Sequence, residues 1–207
     1  MLSNNDDRTP QNAAPTTGPT APVRVLIVDD NAPFSSLLSA ALDAVDGMEC
    51  VGTARSASEG FQRVVELAPT VVVMDIMMPG LDGLAATTEL RRLSPETAVA
   101  VVSAHSDPEW IARAEDAGAS AYIPKSGSLS EMVAVLSAAR PGPMAVASSL
   151  QAAWSSSRVT DPTRADRQPA SPLQSGDQQV ARDVRSTKAA IVQPGRRRDI
   201  LRLLRRG

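Results

Sequence analysis

The sequence predicts an α/β domain: a doubly wound, five-stranded parallel sheet with helices on both faces. Three observations predict it. From about residue 23 to residue 140, five short apolar runs alternate with five amphipathic stretches of helical length, and that alternation implies parallel strands joined by helical crossovers. The run Val71-Val72-Val73-Met74 is apolar at every position, as in a strand buried on both faces. It ends in Asp75, and Pro79, Gly80 and Gly83 then permit a tight turn. A carboxylate at the carboxyl end of a central strand stands where open α/β sheets hold their ligands.

Residues 1–22 are polar and rich in Pro, Thr and Asn, and are expected to form a disordered leader. They lack the basic-then-apolar order of a secretory signal. Val23–Val28 is the first strand and ends in Asp29-Asp30-Asn31. Pro33 can open a helix, which continues with apolar residues at Leu37, Leu38, Ala41, Leu42 and Val45. Met48–Ala54 is the second strand. Ser56 and Glu59 have the spacing of a capping box for a helix running to about Leu67, and Pro69 ends it. The strand at Val71 follows, then a helix from Gly83 to Leu93, in which Asp82 is read as a turn residue.

Ala98–Val102 is the fourth strand and ends in Ser103. Asp107-Pro108-Glu109 caps the next helix, which Gly118 stops. Ser120–Ile123 is the fifth strand, ending at Pro124-Lys125. Ser128 and Glu131 form a second capping box, for a helix to about Ala139. Pro141-Gly142-Pro143 closes the domain. Residues 141–195 read as linker or disorder, with room for a short helix near 144–154. The end, 196–207, is a basic amphipathic stretch carrying six arginines around Ile200, Leu201, Leu203 and Leu204.

The totals exclude several classes. The 207 residues carry a net charge of -2, so the whole chain is not a basic nucleic-acid binder, and an aromatic content of 2% argues against base-stacking surfaces. Cys50 is the sole cysteine, which rules out an internal disulfide or a cysteine metal centre. No apolar stretch is long enough to span a bilayer, and a cytoplasmic location is expected.

In a parallel sheet the strand ends Asp29-Asp30, Asp75, Ser103 and Lys125 share one edge. Three clustered carboxylates repel unless a cation joins them, and hard oxygen ligands favour Mg²⁺. With a hydroxyl and an ammonium opposite, such a set suits phosphoryl transfer, and the free carboxylate is the available nucleophile.

This ordered set resembles the receiver domain of two-component response regulators, through LIVDD (26–30), VVVMDIMMPGLDG (71–83), VVSAHS (101–106) and AGASAYIPK (117–125). The last two stretches are most similar to the NarL/LuxR type. The resemblance covers about 23–140 and implies a flavodoxin-like fold with strand order 2-1-3-4-5. It implies that Asp75 accepts a phosphoryl group from a sensor histidine kinase. Asp30 and Asp75 would bind Mg²⁺ directly, Asp29 through water, and the Met77 backbone carbonyl would be the third protein ligand. Ser103 would hydrogen-bond the phosphoryl oxygens and Lys125 would pair with its charge. Tyr122 would be an aromatic switch that turns inward when Ser103 moves. Met77 and His105 would tune the phosphoryl lifetime; His105 is the sole histidine and a carrier role for it is disfavoured. The departure from the family pattern is Ser126, where Pro often follows the lysine.

The expected function is therefore a phosphorylation switch controlling an output, transcriptional regulation by analogy, and not an enzyme beyond slow self-dephosphorylation. Homodimerisation on phosphorylation is common in the family. One alternative is a phosphorylation-independent interaction module. Another is an Asp-nucleophile phosphohydrolase, but such enzymes place a second Asp two residues on, where this chain has Met77. The basic tail faintly resembles the opening helix of a LuxR-type helix-turn-helix. It is a remnant of such a domain, a helix that binds a partner, a phosphate backbone or a membrane surface, or a solvated tail. Without further helices, sequence-specific DNA binding is not expected of this chain alone.

Overall fold

The computed structural model describes residues 21–79 and 82–160. Residues 1–20 of the expected 1–22 leader, Gly80 of the turn, residues 161–195 of the expected 141–195 linker and the basic tail at 196–207 lie outside the described residues. The strands are β1 (Val23–Val28), β2 (Met48–Ala54), β3 (Val71–Asp75), β4 (Ala98–Ser103), β5 (Ala121–Pro124) and β6 (Ala145–Val146). The helices are α1 (Ala32–Asp43), α2 (Ala57–Leu67), α3 (Gly83–Leu93), α4 (Pro108–Asp116), α5 (Leu129–Ala138) and α6 (Ser148–Thr160). All strands pair in parallel, in the order β2-β1-β3-β4-β5-β6. The expected order 2-1-3-4-5 is present, extended by one short strand.

The sheet core follows from strand composition. Every residue of β3 and β4 is buried, as parallel strands covered on both faces must be. Alternate side chains feed two sides. Val25, Ile27, Val71 and Val73 pack under α1 and α5, where Leu38, Leu42, Met132 and Leu136 meet them. Leu26, Val28, Val72 and Met74 pack under α2 and α3, with Phe61 and Leu90 as the large helical residues. A third cluster joins Ile76, Leu84, Val101 and Tyr122 to Ile111 of α4 and to Leu150 and Trp154 of α6. Burial of each large apolar side chain stabilises by roughly 1.5–3 kcal/mol.

The helix ends show where local chemistry ruled and where it did not. Ser56 accepts from the Glu59 N–H at 3.2 Å, but the Glu59 carboxylate returns to Arg55 N–H, one residue before the cap. Asp82 is the N-cap of α3, accepting from Leu84 N–H at 2.9 Å, and so does more than form a turn. Asp107 occupies the N-cap of α4 without a side-chain bond; its backbone carbonyl accepts from Trp110 N–H. Ser128 caps α5 through Glu131 N–H at 3.2 Å, while the Glu131 carboxylate leaves its own helix. It accepts from Ser148 Oγ at 2.7 Å, Ser149 N–H at 2.9 Å and Ser149 Oγ at 3.0 Å, at the start of α6. The second capping box is thus half made, because the free N–H groups of α6 compete for the same carboxylate.

The structure continues past the boundary expected at 140. β6 adds to the β5 edge, with Ala145 N–H donating to Ser120 and Ala147 N–H to Tyr122. Ala147, Leu150 and Trp154 are buried, and their spacing of three and four is helical. The short helix allowed for near 144–154 is present as α6, and the segment from Ala145 to Trp154 packs against the sheet. No helix among the described residues is long and apolar enough to cross a membrane.

Candidate functional site: an acidic cluster at the carboxyl edge of the sheet

β1 and β3 are neighbours although β2 lies between them in sequence, so the chain reverses direction across the sheet at this pair. The crevice beyond their carboxyl ends is the natural ligand position of such a sheet. Asp75 ends β3, and Asp29 and Asp30 follow β1 directly. One carboxylate oxygen from each of Asp29, Asp30 and Asp75 lies within 4.8 Å of the others. Asp29 and Asp75 are buried and Asp30 is half-buried.

Lys125, just past β5, reaches into this cluster. Its Nζ is 2.7 Å from Asp29 Oδ2 and 2.9 Å from Asp75 Oδ2. The Phe34 ring of α1 lies 5.0 Å from the same nitrogen, a cation–π contact that also shields it from water. Burial favours the neutral form of Asp29, and its carboxyl is raised above the usual range despite the Lys125 ammonium and the Asn31 N–H. For Lys125 burial works in the opposite direction, but the paired carboxylates Asp29 and Asp75 outweigh it and hold the ammonium above its ordinary value. Asn31 has two local duties: its N–H donates to Asp29 Oδ1 at 2.9 Å and its side chain caps α1 through Phe34 N–H.

Asp75 is fixed from several directions. Met77 N–H donates to Oδ1 at 3.3 Å. Behind it, Gly83 opens α3 so close to β3 that an added Cβ would lie 1.9 Å from the Asp75 carbonyl oxygen. Gly83 N–H donates to the Ile76 carbonyl at 3.1 Å, closing the turn. The Met77 side chain is 59% exposed, at the mouth of the site.

The other expected residues form a second line behind the carboxylates. Ser103 is fully buried at the end of β4, and its Oγ accepts from His105 N–H at 3.1 Å. The Tyr122 ring is already inward and fully buried. Its hydroxyl donates to the His105 carbonyl at 2.9 Å. Burial pushes the phenol up. The His105 ring stacks on Trp110 at 4.6 Å, and the Arg113 guanidinium sits 4.3 Å over Trp110 and 3.8 Å from Asp82. Sequence reading missed Phe34, Trp110 and Arg113: Phe34 meets Lys125 from an element far away in sequence, and the i,i+3 spacing of Trp110 and Arg113 on α4 does not point to the His105 ring or to Asp82.

The model of the response regulator receiver domain matches residues 25–137, more than half of the chain. The chain belongs to the response regulator receiver family. This receiver is 39% identical over 111 residues to a protein described as response regulator GacA of Pseudomonas viridiflava, covering 54% of this chain and 52% of that one. It is 38% identical over 110 residues to a protein-glutamate methylesterase/protein-glutamine glutaminase of Myxococcus xanthus, covering 32% of that protein, so receiver relatives include enzymes. The chain spans about half the length of the curated GacA relatives it matches. Among solved structures, a two-component response regulator of the LuxR family from Aurantimonas sp. superposes with a TM-score of 0.60 at 26% identity, covering 67% of this chain and 99% of that one.

The receiver cluster passes a test for a divalent cation on its own chemistry. Three carboxylates face one ammonium, so negative charge is in excess in a mostly buried crevice. Asp29 Oδ2 is a buried oxygen close to Lys125 by distance, yet without an aligned hydrogen bond. An all-oxygen donor set with an open side suits Mg²⁺.

Proposed function

We propose that Asp75 accepts a phosphoryl group from a sensor histidine kinase and that the modified domain changes shape to control an output, transcriptional regulation being the fitting one. The observation that carries this reading is the Lys125 ammonium poised between Asp29 and Asp75. It offsets part of the negative charge around the nucleophile and would pair with the oxygens of an attached phosphoryl group.

An Asp75 carboxylate oxygen attacks phosphorus, and the bond between phosphorus and the donor imidazole nitrogen breaks, its electron pair leaving with that nitrogen. Lys125 then moves its charge-assisted bonds from the carboxylates to the phosphoryl oxygens, which carry about two negative charges. The Ser103 hydroxyl supplies a further proton donor. Asp29, Asp30, Asp75 and the Met77 carbonyl would hold Mg²⁺, which when bound offsets charge between the carboxylates and the phosphoryl oxygens. To carry a switch from about 1:99 to 99:1 takes roughly 5.5 kcal/mol of differential interaction. A few charge-assisted hydrogen bonds, each worth about 1.5–3 kcal/mol, are of that size.

The exposed Met77 supports a switch over a phosphohydrolase, since a thioether cannot move a proton at the position where such enzymes use a second Asp. His105 and Met77, both near the mouth, are the residues set to tune phosphoryl lifetime. The cognate kinase is the first partner, a homodimer formed on phosphorylation the second, and the cytoplasm the compartment where kinase and receiver meet. A second reading, a phosphorylation-independent interaction module, draws on the Tyr122 ring, which is buried with its hydroxyl bonded to the His105 carbonyl.

Incubation of the chain with Mg²⁺ and acetyl phosphate, followed by intact mass, tests the reading. A phosphoryl mass that requires Mg²⁺ and disappears in Asp75→Asn is expected. A folded chain that gains no mass would favour the interaction module.

A further inference from the structure

The first turn of α1 is tied to the acidic site by a closed circuit of contacts. Asp29 Oδ1 accepts from Asn31 N–H at 2.9 Å, and the Asn31 side chain accepts from Phe34 N–H at 3.0 Å. The Phe34 ring lies 5.0 Å from Lys125 Nζ, and that nitrogen lies 2.7 Å from Asp29 Oδ2, which closes the circuit. Ser35, buried in the same turn, shares its hydroxyl proton between the Asn31 and Asp29 carbonyls at 3.1 and 3.4 Å, and so pins the start of the helix to the end of β1.

Helical side chains lean toward the helix N-terminus, so a residue in the first turn overhangs the strand end before it. Asn31 as N-cap and Pro33 in the first turn fix that turn, and with it the height of the Phe34 ring over the crevice. Lys125 has the opposite character: a flexible four-carbon stem and a compact ammonium with three donors. Its side chain is 18% exposed, so a route to water is open. Asp29 and Asp75 hold the ammonium only while they remain its partners.

We propose that Phe34 is a positioning residue for phosphoryl transfer to Asp75: its ring face keeps the Lys125 ammonium in the crevice while that ammonium exchanges carboxylate partners for phosphoryl oxygens. This rests on the phosphoacceptor reading of Asp75. During the exchange both carboxylate bonds weaken, and the new bonds help only if Nζ is already within reach of the developing charge. The ring contact need not be given up. A π face attracts the cation without competing for the phosphoryl group, and it covers the ammonium from water, where the attraction would fade. An aliphatic side chain at position 34 would give cover but would not attract the charge.

Initial rates of phosphoryl gain from acetyl phosphate and Mg²⁺, read by intact mass on the full chain, test this. Phe34→Leu keeps an apolar cover and removes the π face; it is expected to slow uptake by roughly three- to tenfold. Phenylalanines with successively more ring fluorines, placed at position 34, keep the shape while withdrawing charge from the π face, and the rate is expected to fall stepwise along that series. In a Lys125→Gln background Phe34→Leu is expected to add no further loss. Without any phosphodonor, the Lys125 Cε protons are expected to carry an upfield ring-current shift that Phe34→Leu abolishes. A flat fluorine series, an equal loss from Phe34→Leu with and without the lysine, or a missing ring-current shift overturns the proposal. No added mass in the wild type would instead overturn the phosphoacceptor reading, and this inference with it.

Discussion

The Lys125 ammonium lies 2.7 Å from Asp29 Oδ2 and is held at the same time by Asp75, so one cation from β5 ties together the ends of β1 and β3. Removing it leaves buried carboxylates facing each other without a counter-charge. Lys125→Met is expected to lower stability by about 3–5 kcal/mol at neutral pH, the scale of breaking a buried pair. Added Mg²⁺ should restore much of that loss in the variant. Urea denaturation with and without Mg²⁺ reads both; an unchanged midpoint would mean that the ion pair contributes nothing net.

Asp29 sets a pH dependence whose sign is opposite to the usual carboxylate case. Its folded pKa lies above the ordinary value of 3.8, so between that value and the raised one the folded chain binds more protons than the unfolded chain. Through this group, stability falls as pH rises across that window. Asp29→Asn removes the cost, so it is expected to be more stable than the wild type at neutral pH, with the difference shrinking toward pH 4. Unfolding midpoints at several pH values give the answer, and a constant difference would locate the strain elsewhere.

Gly83 admits no side chain, because its Cβ would meet the Asp75 carbonyl. Gly83→Ala is expected to cost at least the roughly 1–3 kcal/mol of overpacking. It should also slow phosphoryl uptake, since the shift falls on the residue that carries the nucleophile. Thermal unfolding paired with the acetyl phosphate assay separates the two effects; a stable, fully active variant would show that α3 can retreat freely.

Glu131 makes the opposite acid–base statement to Asp29. Ser149 N–H and the Ser148 hydroxyl hold its carboxyl below the ordinary value of 4.5. Its contribution is present above that value and is lost as pH falls through the folded one. The site is partly open to water, so about 0.5–1 kcal/mol is the expected local loss in Glu131→Ala, within the range of an exposed cap. Amide exchange of 148–156 should quicken in the variant while β3 and β4 stay protected. Equal exchange would mean that Leu150 and Trp154 alone seat the helix.

Much of the site was legible because parallel sheets turn sequence order into position. The unbroken run Val71–Met74 could only be a fully covered strand, and Asp75 at its end could then be placed beside Asp29, Ser103 and Lys125. Long-range choices were not legible. Ser128 and Glu131 have capping-box spacing, yet the carboxylate serves a helix that begins at Ser148. β6 is two residues long, too short to show a period of two, so the β5 edge looked like the end of the sheet. Phe34 carries no sign in sequence that Lys125 will lie over it.

The ends of β1, β3 and β5 that build the acidic cluster lie far apart along the chain, and its counter-charge arrives last. A chain emerging from the ribosome has made Asp29, Asp30 and Asp75 well before Lys125 exists. The complete constellation appears only once β5 has been made and has docked beside β4. The cluster therefore doubles as a certificate of completed folding, invisible to any partner that recognises it until the whole sheet is in place.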